Sequence, residues 1–251
     1  MISIIAAALL TASPTATPAA DADAVNVILV HGAFADGSAW NKVTPKLEAK
    51  GLKAWAVQLP ETSFQEDVAA TKRMISAAKG PVVLVGHSYA GAVITAAADG
   101  EPSVKSLVYV SALVPDKGES GAELFGKYPT AGAKNIKPQT GDYLWLDPAA
   151  FRESFCQDIP MAEARLMAAA QKPINKAAFG GKLTVEAAWH TLPSWFILTT
   201  NDRMVAPELQ KFEAARMKST VIEVASSHVP FLAKPDAVVK AIVAAAAVKV
   251  K

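Results

Sequence analysis

The sequence predicts an α/β fold: a mostly parallel, doubly wound sheet of about six strands, covered by helices and carrying one small helical cap. Three observations carry this reading. From Val25 onward, short β-branched runs alternate with longer amphipathic ones, the pattern of parallel strands joined by helical crossovers. The short runs are apolar at successive positions, as strands buried on both faces must be. Polar residues capable of chemistry gather just past the ends of those runs, where an open parallel sheet receives its ligands.

The strands are read, in order, as VNVILV (25–30), KAWAVQL (53–59), PVVLVGH (81–87), VKSLVYVSAL (104–113), SWFILTT (194–200) and STVIEV (219–224). Between them the apolar spacing lengthens to helical period over Ala39–Lys50, Ser63–Ala78, Ser88–Ala98, Pro207–Arg216 and Pro235–Val248. Gly51 and Gly80 are natural C-terminal stops for the first two of these helices. From Pro115 to Leu192 the rhythm breaks: no clear strand is visible, and short helical stretches such as MAEARLMAAAQ (161–171) follow one another among Gly, Pro and aromatics. A structureless loop of that length is improbable in a compact domain, so residues 115–192 are expected to form a helical cap inserted above the sheet.

A chain of 251 residues is long enough to bury about 70% of its unfolded surface in one core, and residues 25–251 read as one domain. Lys+Arg 25 against Asp+Glu 23 leaves a formal charge of +2 with no basic stripe, which argues against a nucleic-acid partner. The single Cys156 cannot form an intramolecular disulfide, no cysteine–histidine cluster has zinc-ligand spacing, and neither a metal nor a cofactor is implied. The expected partner is a small molecule. Residues 1–24 differ from the rest: MISIIAAALL precedes a small-residue stretch containing Ala20-Asp21-Ala22 and Ala22-Asp23-Ala24. This is the pattern of a secretory signal peptide with an A-x-A cleavage site, although its first residues lack Lys and Arg. The expected location is periplasmic or secreted, or cytoplasmic if the leader is not a working signal. No other run reaches the roughly 18 apolar residues of a membrane span, so stable membrane insertion is not expected.

The chemistry concentrates at four strand ends: HGAFADGSAW (31–40), GHSYAG (86–91), NDRMVAP (201–207) and ASSHVPF (225–231). Ser88 could be the N-cap of the helix that begins there, or a nucleophile on a sharp strand-to-helix turn whose neighbours must be small. The motif alone does not decide. Asp202 and His228 tip the balance, because a serine hydroxyl needs a base to take its proton and a carboxylate to orient that base. Asp116, just past the fourth strand, is the rival carboxylate. Acyl transfer also needs donors for the oxyanion, and the backbone N–H groups of Tyr89 and Ala33 stand in the right turns. His31 and Gly32 then shape the turn, His31 by hydrogen-bonding loop backbone. Phe34 and Tyr89, flanking those donors, are candidate pocket residues, with Trp145, Phe151, Phe155 and Phe231 behind them. His87 is expected to point away from Ser88 by strand alternation, His190 has no evident partner, and Cys156 reads as a buried thiol.

The blocks VILVHGAFADGSAW, VVLVGHSYAGAVI, LTTNDRMVAPELQ and SSHVPFLAKPDAV resemble those of the α/β-hydrolase superfamily, within it the small-cap branch of plant methyl-ester esterases, hydroxynitrile lyases and bacterial esterase-like proteins. The resemblance runs from Val25 to the C-terminus and is weakest over the cap. It implies the α/β-hydrolase fold, Ser88 as nucleophile, Asp202 as acid, His228 as base, and the Ala33 and Tyr89 amides as oxyanion hole. Two departures matter. Ala90 stands where the motif has a second glycine, with Gly91 one place later. The lyase members carry a lysine after the histidine and a threonine in the oxyanion turn, where this chain has Val229 and Gly32. The resemblance thus implies a cofactor-independent serine hydrolase of a small, fairly apolar carboxylic ester, lactone or amide. A lyase or haloperoxidase-like activity, or a slow-turnover ligand-binding role, stays open on the same scaffold.

Overall fold

The computed structural model describes residues 24–248; the expected leader lies, up to residue 23, outside the described residues. In chain order the first half alternates β1 (Asn26–Val30), α1 (Thr44–Glu48), β2 (Lys53–Val57), α2 (Phe64–Ala77), β3 (Val82–His87), α3 (Ala90–Ala97) and β4 (Val104–Val110). An insertion follows, with α4 (Gly121–Lys127), β5 (Ile136–Gln139), β6 (Tyr143–Leu146), α5 (Phe151–Phe155), α6 (Met161–Ala170), β7 (Ile174–Asn175) and α7 (Lys176–Phe179). The core resumes with β8 (Ser194–Thr199), α8 (Pro207–Arg216), β9 (Thr220–Val224), α9 (Pro230–Ala233) and α10 (Pro235–Ala246). The six-stranded sheet has the order β2-β1-β3-β4-β8-β9, and every pairing within it is parallel.

Central strands β1 and β3 are buried at every position, and α3 is buried along its whole length because it packs between the sheet and α2. The edge strands correct the expectation of complete burial. β2 and β9 each expose several side chains, Trp55 and Val221 among them, since an edge strand has a neighbour on one side only. The first helix is also shorter than Ala39–Lys50: a 3-10 turn over Gly37–Trp40 precedes α1, which starts with Pro45 in its first turn. Helix α3 begins at Ala90 rather than Ser88, because Ser88 sits at a left-handed φ of 54°.

The cap is not purely helical. β5, β6 and β7 form a three-stranded antiparallel sheet, turned by Gly141 and Asp142 at φ 74° and 62°. Its strands have two to four residues, too few for a period-2 pattern to stand out, and Pro138 is accommodated because β5 is an edge. No helix among the described residues is long and apolar enough to cross a membrane.

Where the chain leaves the sheet for the cap, α8 holds it. Glu213 is fully buried, its Oε1 accepting from the Val114 N–H at 2.7 Å, while Arg216 donates to Glu119 and to the Val114 carbonyl. Burial pushes the Glu213 carboxyl up to about 8. The folded protein therefore keeps a proton that the unfolded chain releases near 4.5, so this group lowers stability progressively as pH rises from about 4.5 to about 8. Glu213→Gln keeps the acceptor for Val114 and removes the titration. The melting temperature of the variant relative to wild type is expected to climb between pH 5 and pH 8. A difference independent of pH in thermal melts would show that Glu213 does not titrate in this window.

Candidate active site

Ser88 stands at the carboxyl end of β3, in a backbone conformation that costs a non-glycine residue on the order of 1–3 kcal/mol. The surroundings hold it there: Ser88 N–H donates to Val110 O at 3.0 Å, and its own carbonyl accepts from Gly91 N–H at 2.9 Å and Leu113 N–H at 3.0 Å. The turn also explains its glycines. A methyl on Gly91 would lie 2.5 Å from Leu113 O, whereas Ala90 is accommodated in the interior. A methyl on Gly32 would lie 2.7 Å from Ser88 Cβ, so the HGAF turn is pressed directly against the serine.

Asp202 follows β8 and His228 follows β9, and the two are joined. His228 Nδ1–H donates to Asp202 Oδ2 at 2.8 Å, with both side chains closed to solvent. The same carboxylate oxygen accepts from the Thr199 hydroxyl and from Gln210 Nε2–H, each at 3.0 Å, while Oδ1 accepts from the Met204 and Val205 N–H groups at 2.8 and 3.0 Å. Five donors thus fix the carboxylate. Because Nδ1 carries the proton, His228 Nε2 presents a lone pair; it is buried and has no hydrogen-bond partner among the described residues. Asp116, the rival carboxylate, pairs instead with His190 at 3.1 Å, with side chains 38% and 47% exposed.

The N–H groups of Ala33 and Tyr89 make no hydrogen bond among the described residues. His31 holds the turn that carries Ala33: its Nδ1–H donates to Gly32 O at 2.9 Å and its Nε2 accepts from Leu59 N–H at 3.0 Å. Burial lowers this imidazole to about 4, so it is neutral in its structural role over the physiological range.

A narrow apolar cavity of about 20 Å³ opens on Ser88, and Ser88 supplies the polar side chain of a lining that is otherwise Ala, Leu, Ile, Met and Phe. Phe34 and Phe155 belong to this wall; Trp145, Phe151 and Phe231 do not. Tyr89 corrects the sequence reading. Its side chain runs back beneath the turn, and its hydroxyl donates to Asp67 Oδ2 at 2.7 Å. His87 is absent from the cavity wall and has a partner that the sequence reading did not name. Alternation carries its ring onto His228, with centroids 4.6 Å apart, and its Nε2–H donates to His228 O at 2.9 Å. Most of the wall comes from residues that sequence reasoning missed: Phe125, Ile136, Leu144, Ile174 and Phe179 from the cap, with Leu113 and Met204 from strand ends. Met204, two residues past Asp202 in a strand-end loop, carried a usable signal; the cap residues did not. Cys156 is buried, and burial pushes its thiol up to about 12, which fits an inert packing role.

Comparison with known proteins agrees with this architecture. The alpha/beta hydrolase family model matches residues 27–241. Methylesterase 8 of Arabidopsis thaliana is 26% identical over 83% of this chain and 85% of its own. Among solved structures, a pyrethroid hydrolase from Sphingobium faniae superposes with a TM-score of 0.77 at 24% identity, covering 89% of this chain and 98% of that one. Polyneuridine aldehyde esterase superposes with a TM-score of 0.78 at 20% identity, covering 89% and 100%. With the parallel sheet, the strained serine turn and the matched length in agreement, the chain belongs to the alpha/beta hydrolase family.

Proposed function

We propose that the protein is a cofactor-independent serine hydrolase that cleaves the carboxylic ester, lactone or amide of a small, fairly apolar molecule through an acyl-enzyme. The observation that carries this reading is the buried Asp202–His228 pair, with Nε2 left free, next to an apolar cavity that opens on Ser88. In the first half-reaction His228 Nε2 takes the Ser88 proton as Oγ bonds to the acyl carbon, and Asp202 stabilises the imidazolium. The oxyanion accepts from the unspent N–H groups of Ala33 and Tyr89. Collapse expels the alcohol, which leaves with the proton from His228. Water, deprotonated by the same imidazole, then hydrolyses the acyl-enzyme and regenerates Ser88. Apo hydrogen bonds are often loose, so the missing Ser88–His228 bond is compatible with this path.

The apolar lining suits a hydrocarbon acyl or alcohol group, since a charged group would lose its hydration there without a partner. The methylesterase and esterase names of its relatives point the same way. The test is a panel of p-nitrophenyl esters of rising chain length, together with lactones and mandelonitrile. Turnover of short esters, without cyanide release from mandelonitrile, is the expected result. Cyanide release would favour the lyase reading, and binding without turnover the ligand-binding one.

A further inference from the structure

The segment of the cap around α5 does more than cover the cavity. It touches both loops that carry the acid and the base. Gln157 Nε2–H donates to Asn201 O at 2.7 Å, and Arg203 pairs with Glu153. Phe155, one of the cavity walls, packs edge-on against the His228 ring at 4.8 Å. Just beyond it, Arg152 braces the turn by donating to Gln157 O at 2.8 Å and to Ile159 O at 3.2 Å. That turn presents Asp158.

The Asp158 carboxylate accepts from the Ser226 hydroxyl at 2.8 Å, from the Ser227 N–H at 2.8 Å, and from the Ser227 hydroxyl. Ser226 and Ser227 are fully buried, whereas Asp158 itself is an exposed residue. Ser227 in turn accepts from Val229 N–H at 3.4 Å. The backbone on the N-terminal side of His228 is therefore held from the cap. On the other face the His87 ring holds the His228 carbonyl, and Asn201 N–H donates to Ser226 O at 3.1 Å. A catalytic group must be held within about 0.5 Å of its working position, and a misplacement of about 1 Å can cost on the order of 100-fold in rate. Charge-assisted hydrogen bonds of this kind are the stronger ones available to a surface-reaching group.

We infer that Asp158 is a positioning residue, a cap carboxylate that sets the location of the His228 imidazole through Ser226 and Ser227. The inference rests on the proposed role of His228 as base. It makes the cap part of the proton-transfer apparatus as well as a wall of the cavity.

The test compares kcat and KM for p-nitrophenyl butyrate in wild type, Asp158→Ala, Asp158→Asn, Ser226→Ala/Ser227→Ala, the triple variant with Asp158→Ala, and Ser88→Ala, with thermal melts on each. Asp158→Ala is expected to lower kcat about tenfold with KM within about twofold, since a displaced base slows proton transfer without reshaping the cavity. Asp158→Asn, which keeps the size and one acceptor oxygen, is expected to recover most of the loss. The triple variant should be no slower than the serine pair, because residues acting through one another are not additive. Wild-type kcat in Asp158→Ala, a loss confined to KM, no recovery in Asp158→Asn, or losses that multiply in the triple variant would each overturn the inference. If Asp158→Ala does not fold, Asp158→Asn and the serine pair carry the comparison. Turnover equal in wild type and Ser88→Ala would instead overturn the underlying assignment of the nucleophile.

Discussion

Replacing Ser88 with alanine is expected to lower ester turnover by on the order of 10³-fold or more, because nucleophile and base act as a unit and neither retains much use alone. The folded protein should survive the change. Ser88 is buried to 7% exposure, and the hydrogen bonds that fix its turn all run through its backbone, so the side chain removed is one oxygen atom facing a cavity. The left-handed φ of 54° remains a strain for alanine as it was for serine, and stability should change little. A fluorophosphonate probe should label wild type with one adduct and leave the variant unmodified, since labelling requires the activated hydroxyl. Mass spectrometry of the labelled peptide reads the site directly. An adduct on another serine, or full turnover in the variant, would remove Ser88 from the mechanism.

The core of this molecule was legible in its sequence for a physical reason. A strand segment buried on both faces must be apolar, so β1, β3 and β4 declare themselves through the runs VILV, VVLV and LVYV. Whatever polar groups follow such a run stand at the same edge of the sheet. That is how Ser88, Asp202 and His228 were picked out, although they are far apart in the chain. The cap offered no such rule. Its helices α5 and α7 span five and four residues and β7 only two, lengths at which helical and strand periods cannot be told apart. Its aromatics divide between the cavity wall, as with Phe125, Phe155 and Phe179, and packing elsewhere, as with Phe151.

Side-chain direction was the other blind spot. Tyr89 reads as a pocket residue because it flanks the oxyanion donors, yet the sharp turn that faces Ser88 to the cavity aims the next side chain inward. There its hydroxyl completes a buried chain with Asp67 and the backbone of Glu61. Burial holds the Glu61 carboxyl well above the usual carboxylate range, and the group lies beside His31 at 3.9 Å. The polar layer under the oxyanion turn was thus invisible as a unit, since Glu61, Asp67 and Tyr89 come from three separate segments.

Asp202→Asn is expected to reduce turnover by up to about 10⁴-fold while leaving the fold intact, whereas Asp116→Asn should leave it nearly unchanged. The argument lies in the donors that surround the carboxylate. Oδ1 accepts two backbone N–H groups, from Met204 and Val205, and an asparagine carbonyl can keep both. Its amide NH₂ then occupies the place of Oδ2 and faces His228 Nδ1. Two donors cannot share that contact, so His228 must move its proton to Nε2 and accept at Nδ1. The nitrogen that should receive the Ser88 proton is then already occupied. Thr199 can rotate its hydroxyl to accept from the new amide, and Gln210 Nε2, which loses its bond to Oδ2, keeps its bond to the Val205 carbonyl at 2.9 Å, which limits the structural cost. Asp116, by contrast, is a partly exposed carboxylate paired with an exposed histidine, the kind of ion pair that contributes roughly 0–1 kcal/mol, and it does not touch His228. Steady-state kinetics and thermal melts on the two variants measure both halves of this expectation. A steep loss in Asp116→Asn, with Asp202→Asn active, would mean that the base takes its orientation from the loop after β4.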